Sequence, residues 1–188
     1  MADGNTIKII RGRRRTFALS WENGGFVCRV PYLAGDRAVR SFLKKNEGWM
    51  DRQLAEQARI SEYLRREGRL SEAELAALKK AAKKTIPERV AHYAPLVGVS
   101  CGRISIRAQQ TRWGSCSAKG NLNFNCLLML APPEVLDSIV VHELCHRLEM
   151  NHSPRFYAKV LKVFPEYRRW NRWLKENGPL LLARLPEP

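Results

Sequence analysis

Three of the four histidines in the chain fall within eleven consecutive residues, in the stretch VVHELCHRLEMNHSPRFY. His142 and His146 are four residues apart. Because an α-helix turns by about 100° per residue, both imidazoles project from the same face of a helix. Glu143 lies beside them, where its carboxylate can reach a metal-bound water without ligating the metal. This HExxH pattern predicts a helix that carries two metal ligands and a general base.

The third histidine of this stretch fits the same site only if the helix ends before it. Ten further residues of straight helix would place His152 about 15 Å along the axis from His142, whereas bonds from zinc to nitrogen measure about 2.0 Å. Catalytic zinc sites generally have three protein ligands and one open position. We therefore predict that the chain turns back after Leu148 or Met150, so that His152 points at the same ion.

The residues around His152 favour such a turn. Asn151 tolerates the left-handed conformation that ends many helices. Ser153 followed by Pro154 is typical of an N-cap and the first turn of a new helix. We therefore expect His152 to lie in an elbow between two helices.

Two glutamates are alternatives to His152 as the third ligand. Glu149 lies on the same helix face as His142, and Glu166 belongs to a later predicted helix. The fourth histidine, His92, lies far from the cluster along the chain, and we expect it to have a structural role.

The first half of the chain predicts a hairpin followed by helices. Residues 16–32 contain two β-rich runs around ENGG, and Asn and Gly tolerate the positive φ angles of a hairpin turn. Residues 36–94 are rich in Ala, Leu, Lys, Arg and Glu, which favour two or three helices. Gly68 is expected to end one helix, and Ser71 with Glu74 resembles a capping box for the next.

Strand patterns return over residues 102–125. The run RISIRAQ alternates apolar and polar residues, which indicates a half-buried strand. The runs RWGSCS and NLNFN flank AKG and predict a second hairpin. In NLNFN, period-two alternation predicts two inward residues, Leu122 and Phe124, and three outward residues, Asn121, Asn123 and Asn125.

The second half of the chain ends in predicted helices. The HExxH helix begins with a proline signal and has an apolar stripe that is expected to face the core. Two more helices are predicted in SPRFYAKVLKVF and PEYRRWNRWLKEN, followed by an irregular tail in GPLLLARLPEP. The stripe consists of Leu136, Ile139, Val140, Leu144 and Leu148.

The order strands, helices, strands, helices predicts an α+β fold. A chain of 188 residues fits one compact domain. We expect four regions within it: an N-terminal hairpin region, a helical segment, a metal-binding catalytic region and a tail, which comprise residues 1–35, 36–95, 96–177 and 178–188.

Composition limits the possible locations and partners. The net charge of +15 predicts attraction to polyanions. No membrane-spanning run and no signal-peptide pattern is present, so a cytoplasmic protein without membrane contact is expected. The five cysteines are scattered without CxxC pairs, which is typical of reduced thiols. Cys116 and Cys126 are potential zinc ligands, but we expect both to be small buried apolar residues instead.

The stretches TRWGSCSAKGNLNFNCLLMLAP and VVHELCHRLEMNHSPRFY resemble the YgjP-like (WLM-type) zinc metallopeptidase family. The specific motifs cover residues 102–160. The N-terminal hairpin RTFALSW…FVCRVP and the helix around FLKKNEGWM are similar to that family's N-terminal part. The spacing HExxHxxExxH also matches the metzincin pattern, but Glu149 stands where metzincins have glycine.

This resemblance implies a compact zincin-like metallopeptidase domain. It implies that His142, His146 and His152 bind zinc, or another divalent metal, and that Glu143 is the catalytic base. The YgjP-like branch is also associated with metal-dependent pyrophosphate hydrolysis of nucleoside triphosphates, particularly UTP.

Three functions are therefore open. The first is a zinc-dependent peptidase that holds an extended peptide against a strand edge. The second is a nucleotide pyrophosphatase that acts on UTP or other nucleoside triphosphates, since triphosphates need cationic groups. The third is a basic protein that contacts nucleic acid nonspecifically, with aromatic residues interleaved among arginines in YRRWNRW.

Residues on either side of the predicted metal site are candidates for substrate binding. The strand around Arg112 is expected to line the cleft, and Arg112 is a candidate to bind a carboxylate or phosphate. Trp113 is either a substrate contact or a core residue. Tyr157 or Arg155 is a candidate oxyanion helper, with simple packing of Tyr157 as the alternative.

Overall fold

The computed structural model describes residues 7–186, which form two compact units that divide at residue 61. The fold combines helices with two small sheets, so the predicted α+β class is confirmed. All five cysteines are free thiols. No helix within residues 7–186 has the length and apolar character needed to cross a membrane.

The N-terminal unit contains a three-stranded sheet in the order β1-β3-β2. The predicted hairpin is confirmed, because β2 pairs antiparallel with β3. Asn23 and Gly24 connect the two strands with φ angles of 50° and 77°, as a type I′ turn requires. Strand β1, which pairs parallel with β3, was not predicted. The strands are β1 (Ile7–Gly12), β2 (Ala18–Glu22) and β3 (Gly25–Pro31).

Three helices follow, and the predicted helix break is confirmed. Gly68 has a φ of 69°, and Ser71 forms a capping box with Glu74 in which each side chain accepts a hydrogen bond from the other residue's backbone N–H. The capping box satisfies N–H groups that the start of a helix leaves without intrahelical partners. The helices are α1 (Asp36–Lys45), α2 (Glu47–Glu67) and α3 (Glu72–Val97).

The second sheet belongs to the C-terminal unit and has the order β4-β6-β5, so β5 is an edge strand. The predicted hairpin around AKG is confirmed, because β5 pairs antiparallel with β6, while β4 pairs parallel with β6 on its other side. The strands are β4 (Ile104–Arg107), β5 (Gly114–Cys116) and β6 (Leu122–Asn125).

The prediction that Asn125 faces outward is wrong. Leu122 and Phe124 are fully buried as expected, but Asn125 is fully buried too. Its amide nitrogen donates to the carbonyl oxygens of Gln109 and Arg112, at 2.7 and 3.0 Å. A buried amide is tolerated when its hydrogen bonds are made. Asn125 therefore fixes the segment that leads into β5, at the end where the strand alternation no longer applies.

The remaining helices pack around the second sheet. Helix α4 is buried along most of its length, including the fully buried Val140, Val141 and Leu144. A short 3-10 turn over Cys126–Leu130 connects β6 to it. Leu148, predicted to face the core, is instead 44% exposed, because α4 has already ended. The helices are α4 (Pro133–Cys145), α5 (Pro154–Val163) and α6 (Tyr167–Ala183).

The irregular tail predicted from residue 178 is wrong, since α6 continues through Gly178 and Pro179 to Ala183. Gly178 is buried, and a Cβ there would lie 3.1 Å from the ring of Trp113. Leu180 and Leu181 are also buried. Burial of this apolar segment outweighs the helix-breaking tendency of the Gly-Pro pair.

An ion pair joins α3 to α4. Arg89 donates from Nε and Nη2 to the two carboxylate oxygens of Asp137, both at 2.6 Å, and the Tyr93 hydroxyl donates to the same carboxylate at 3.1 Å. Asp137 is 8% exposed, whereas the Arg89 side chain is 36% exposed. The bidentate geometry fixes α4, the helix that carries the HExxH pattern, against α3.

We expect Asp137→Ala to lower the free energy of unfolding by about 1–3 kcal/mol, the range for hydrogen bonds to charged groups with a partly exposed partner. Denaturant-induced unfolding measures this change. Glu62→Ala removes an exposed ion pair with Arg65 and is the matched control, with an expected change within about 0.5 kcal/mol. Equal effects of the two substitutions would contradict a stabilising role for Asp137.

Candidate metal centre

The three predicted histidines meet at one point. The Nε2 atom of His142 lies 3.2 Å from Nε2 of His146 and 3.0 Å from Nε2 of His152. Within residues 7–186 this is the group of His, Cys, Asp or Glu side chains that could hold a metal ion. A tetrahedral ion with bonds of about 2.0–2.1 Å would have ligand nitrogens about 3.3 Å apart. The two distances from His142 Nε2 are close to this value, and the three ligand atoms all lie within 4.8 Å of one another, so the group suits a zinc-sized ion.

The chain reaches this arrangement by ending α4 early. The helix ends at Cys145 with His146 as its C-cap, a turn earlier than the predicted end at 148–150. The backbone N–H groups of Leu148 and Glu149 both donate to the carbonyl of Cys145, which closes the turn. The left-handed conformation expected for Asn151 is wrong, because Asn23 is the non-glycine residue with positive φ in the described chain.

The elbow that carries His152 forms as predicted. Ser153 is the N-cap of α5, and its side-chain oxygen accepts a hydrogen bond from the N–H of Phe156. Pro154 occupies the first helical turn, where its missing N–H costs nothing. His152 thus stands directly before a rigid helix start and is oriented toward His142.

Phe156 forms an apolar floor beneath the three imidazoles. It is fully buried, and its ring centroid lies 4.8, 4.5 and 5.0 Å from those of His142, His146 and His152. Aromatic pairs at these separations stabilise one another beyond simple burial. The packing of Phe156 therefore helps to set the orientation of all three candidate ligands.

Hydrogen bonds at the opposite ring nitrogens orient two of the histidines. His146 Nδ1 lies 3.0 Å from the carbonyl oxygen of Glu149. A carbonyl only accepts, so Nδ1 carries the proton and Nε2 presents its lone pair to the centre. His142 Nδ1 lies 2.8 Å from the hydroxyl of Tyr167. Such partners fix the tautomer and orientation of metal-binding histidines.

Both of these imidazoles are neutral near pH 7. Burial, followed by the proximity of His146 and His152, lowers the pKa of His142 to about 3. Burial also lowers the pKa of His146 below its usual value. Neutral imidazole is the form that binds a metal, so both rings are in the form that could hold a cation.

Glu143 lies next to this cluster with its carboxylate buried. It is 5% exposed, and its Oε2 atom has no hydrogen-bond partner. Burial raises the pKa of Glu143 to about 8. Ionising a buried carboxyl group that lacks a hydrogen-bond partner is costly, and groups with such shifted pKa values concentrate at functional sites.

Gly114 makes room for this carboxylate. A Cβ atom built on Gly114 would lie 2.5 Å from Oε1, 2.7 Å from Cγ and 2.9 Å from Cδ of Glu143. Real Cβ atoms do not approach other atoms so closely. The edge strand β5 therefore passes directly over the HExxH helix, and only glycine fits at the crossing.

The site opens into a cleft with two lobes that share Arg112, Gly114, His142 and Glu143. The metal lobe, about 270 Å³, also contains His146, His152 and residues of β5. The other lobe, also about 270 Å³, extends toward α6. We call it the cationic lobe; its further lining includes Tyr167, Asn171, Leu174 and Lys175.

The candidate substrate residues lie at different distances from this cleft. Arg112 is exposed and lines both lobes. Trp113 lines the cationic lobe, while its ring also packs against Gly178. Tyr157 is 37% exposed and lies outside both lobes, with its ring centroid 6.2 Å from that of His152. Arg155 lines neither lobe.

The alternative third ligands are oriented elsewhere. Glu149 contributes its backbone carbonyl to His146, and its carboxylate is not part of the described metal-ligand group. Glu166 pairs with Arg169 at 3.1 Å and accepts a hydrogen bond from Trp170.

Two further residues considered from the sequence lie elsewhere. Cys126 is fully buried. His92 packs edge-on against Tyr93.

Sequence reasoning missed four residues of the site: Gly114, Tyr167, Asn171 and Lys175. Tyr167 belongs to the aromatic residues of YRRWNRW, and nothing in their spacing distinguishes a tyrosine that contacts a histidine from one that only packs. The spacing of Tyr167, Asn171 and Lys175, four residues apart in turn, was the available signal for a shared helix face.

No curated protein matches the chain. The chain is similar in structure to the metallopeptidase zymogen abylysin of Pyrococcus abyssi. The aligned region covers 49% of this chain and 94% of abylysin, with 23% sequence identity and a TM-score of 0.45. It is also similar to the metallopeptidase zymogen jannalysin of Methanocaldococcus jannaschii. That aligned region covers 50% of this chain and 97% of jannalysin, with 22% sequence identity and a TM-score of 0.44.

A match to a family model shows which family the chain belongs to. The model described as the YgjP-like metallopeptidase domain matches residues 65–177, which is more than half of the chain. The match includes the three histidines, Glu143 and β5. The chain therefore belongs to the YgjP-like metallopeptidase family, as its motifs predicted, and is a metal-dependent hydrolase.

Proposed function

We propose that the chain is a zinc-dependent peptidase in which His142, His146 and His152 bind the metal and Glu143 is the general base. The observation that carries the proposal is the meeting of three imidazoles, with Nε2 of His142 3.2 Å from that of His146 and 3.0 Å from that of His152, beside a buried carboxyl group without a hydrogen-bond partner. Three nitrogen ligands with room for substrate are typical of a catalytic zinc site, although other divalent ions also bind nitrogen donors.

The metal, when bound, supplies a Lewis acid that polarises the substrate carbonyl and makes water more acidic. Glu143 takes a proton from the attacking water and passes it to the amine that leaves. Its burial keeps bulk water from competing for that proton, and a positive ion bound nearby would favour the ionised carboxylate that accepts it. Phe156 and Tyr167 hold the imidazoles in place.

The open edge of β5 supports binding of an extended peptide. The N–H of Asn125 donates to the carbonyl of Trp113, and the N–H of Ser117 donates to that of Asn121. In an antiparallel pair, alternate residues bond to the neighbouring strand, so the backbone groups of Gly114 and Cys116 point to the other side. Both residues line the metal lobe, where a substrate strand would pair with them.

A substrate panel tests the proposal. Zinc-loaded protein is incubated separately with an unfolded protein and with UTP, and peptide release and pyrophosphate release are measured. We expect peptide release. Pyrophosphate release without peptide release would contradict the peptidase function and support the nucleotide alternative, which stays a prediction. Nonspecific nucleic-acid binding by the basic surface and a cytoplasmic location also stay predictions.

Tyr167→Phe should weaken metal binding by about 10- to 100-fold, the usual effect of removing a hydrogen-bond partner from a metal-binding histidine. The ring remains, so the packing of this buried side chain, which is 3% exposed, is preserved. Competition with a chromogenic chelator measures the affinity. Tyr157→Phe removes a hydroxyl from a residue that is 37% exposed and lines neither lobe, and is the control. Equal affinities of the two variants would mean that Tyr167 does not orient His142.

A further inference from the structure

The cationic lobe has an uneven distribution of charge. Arg112 and Lys175 line it, and Glu143 is the acidic residue of its lining. Both cationic side chains are exposed. Neither forms an ion pair within residues 7–186, whereas Arg29, Arg89 and Arg169 do. Two unpaired cations in a concave site attract an anionic group.

Helix α6 contributes three side chains to this lobe, at increasing distance from the metal site. Tyr167, Asn171 and Lys175 are spaced four residues apart, so they lie along one face of the helix. The hydroxyl of Tyr167 contacts His142, which fixes the metal end of the series. Lys175 lies about 12 Å farther along the helix axis. An extended peptide covers that distance in about three to four residues.

Arg112 is placed to act together with Lys175. It lines both lobes, and its backbone carbonyl is held by the buried amide of Asn125 at 3.0 Å. The base of this side chain is therefore fixed beside the crossing of β5 and α4, while its guanidinium is free to bind a ligand. Arginine binds carboxylates through two parallel hydrogen bonds.

We propose that Arg112 and Lys175 form a carboxylate-binding subsite, so that the enzyme prefers peptides with an acidic side chain or a free C-terminal carboxylate within about four residues of the cleaved bond. This inference rests on the proposed peptidase function. Leu174 and Ile139 supply apolar walls that accommodate the carbon chain of a glutamate. A phosphate is the other anion that two such cations would bind.

Cleavage-site mapping is the first experiment. Zinc-loaded full-length protein is incubated with a peptide library from an unfolded protein mixture, and the products are sequenced by mass spectrometry. Acidic residues or chain ends should be enriched at one fixed distance from the cleaved bond. The mapped position then defines two peptides of one sequence that differ only by Glu or Gln there.

Variants of Lys175 decide whether the lobe causes the preference. Wild-type protein should cleave the Glu peptide with a kcat/KM about tenfold above that of the Gln peptide, as expected for one hydrogen-bonded charge pair. Lys175→Gln should remove this ratio, Lys175→Glu should invert it, and added salt should reduce it. Arg172→Gln, on α6 but outside both lobes, is the control and should keep the wild-type ratio.

The outcomes separate this inference from the function on which it rests. Failure of wild-type protein to cleave any peptide would contradict the peptidase proposal itself. Cleavage with equal kcat/KM for the Glu and Gln peptides, or a ratio that Lys175→Gln leaves unchanged, would overturn the subsite alone. UTP hydrolysis that depends on Lys175, without any preference among peptides, would overturn the carboxylate assignment in favour of phosphate.

Discussion

Glu143→Gln should lower the rate of peptide hydrolysis by about 10²- to 10⁴-fold, the contribution of a positioned general base. Glutamine has the same shape as glutamate, so it fits the buried position over Gly114 without new contacts. Its neutral amide still accepts hydrogen bonds, but it is far less basic than a carboxylate and does not take a proton from water. Steady-state kinetics on a quenched fluorescent peptide, with zinc content measured in the same samples, tests the prediction.

The control for this change is Glu134→Gln, which alters an exposed glutamate in the first turn of the same helix. It should keep wild-type activity and zinc content. Hydrolysis by Glu143→Gln at the wild-type rate would remove Glu143 from the mechanism. Loss of both activity and zinc would instead mean that Glu143 acts mainly by supporting the metal centre.

Gly114→Ala should also lower hydrolysis by about 100-fold, although Gly114 has no side chain to react. The added methyl group would lie 2.5 Å from Glu143 Oε1, so the carboxylate must move. Displacement of a catalytic group by about 1 Å costs on the order of 10²-fold. Alanine is otherwise acceptable in this strand, because the φ angle of Gly114 is not in the left-handed region.

Two comparisons show whether Gly114 acts through Glu143. Gly12→Ala places a methyl group in open space and should leave activity unchanged. In the Glu143→Gln background, Gly114→Ala should cause little further loss, because residues that act as one unit are not additive. A full additional 100-fold loss in the double variant would show that Gly114 affects the substrate or the strand edge directly.

The sequence predicts the local parts of this site well. The spacing of His142 and His146 defines a helix face, and Ser153 with Pro154 defines a helix start, so the elbow at His152 follows from short-range rules. The hairpin at Asn23 and the capping box at Ser71 were predicted for the same reason. In each case the decisive interactions connect residues that are close along the chain.

The parts that sequence reasoning missed depend on long-range packing. Tyr167 contacts His142 across 25 positions of the chain, and the fit of Gly114 depends on where β5 crosses α4. Neither relation leaves a periodic signal. The tail was predicted as irregular because Gly178 and Pro179 break helices in isolation, but contact with Trp113 and burial of the following leucines override that preference.

The end of the HExxH helix combines a feature that the sequence predicts with one that it does not. The sequence requires a turn before His152, yet the predicted end at 148–150 was too late. The turn depends on hydrogen bonds that the carbonyls of Cys145 and Glu149 accept, and backbone carbonyls are identical in every residue. A pattern of side chains therefore predicts that the helix ends, but not at which residue.

Metal content is the most direct test of the central claim that three histidines hold one catalytic ion. Purified protein is saturated with zinc, freed of unbound ion by gel filtration and analysed by mass spectrometry of the metal, with circular dichroism as the check of fold. We expect about one zinc ion per wild-type chain and near loss of zinc in His142→Ala and in His146→Ala. Folded wild-type protein that retains no zinc or other divalent metal would contradict the account.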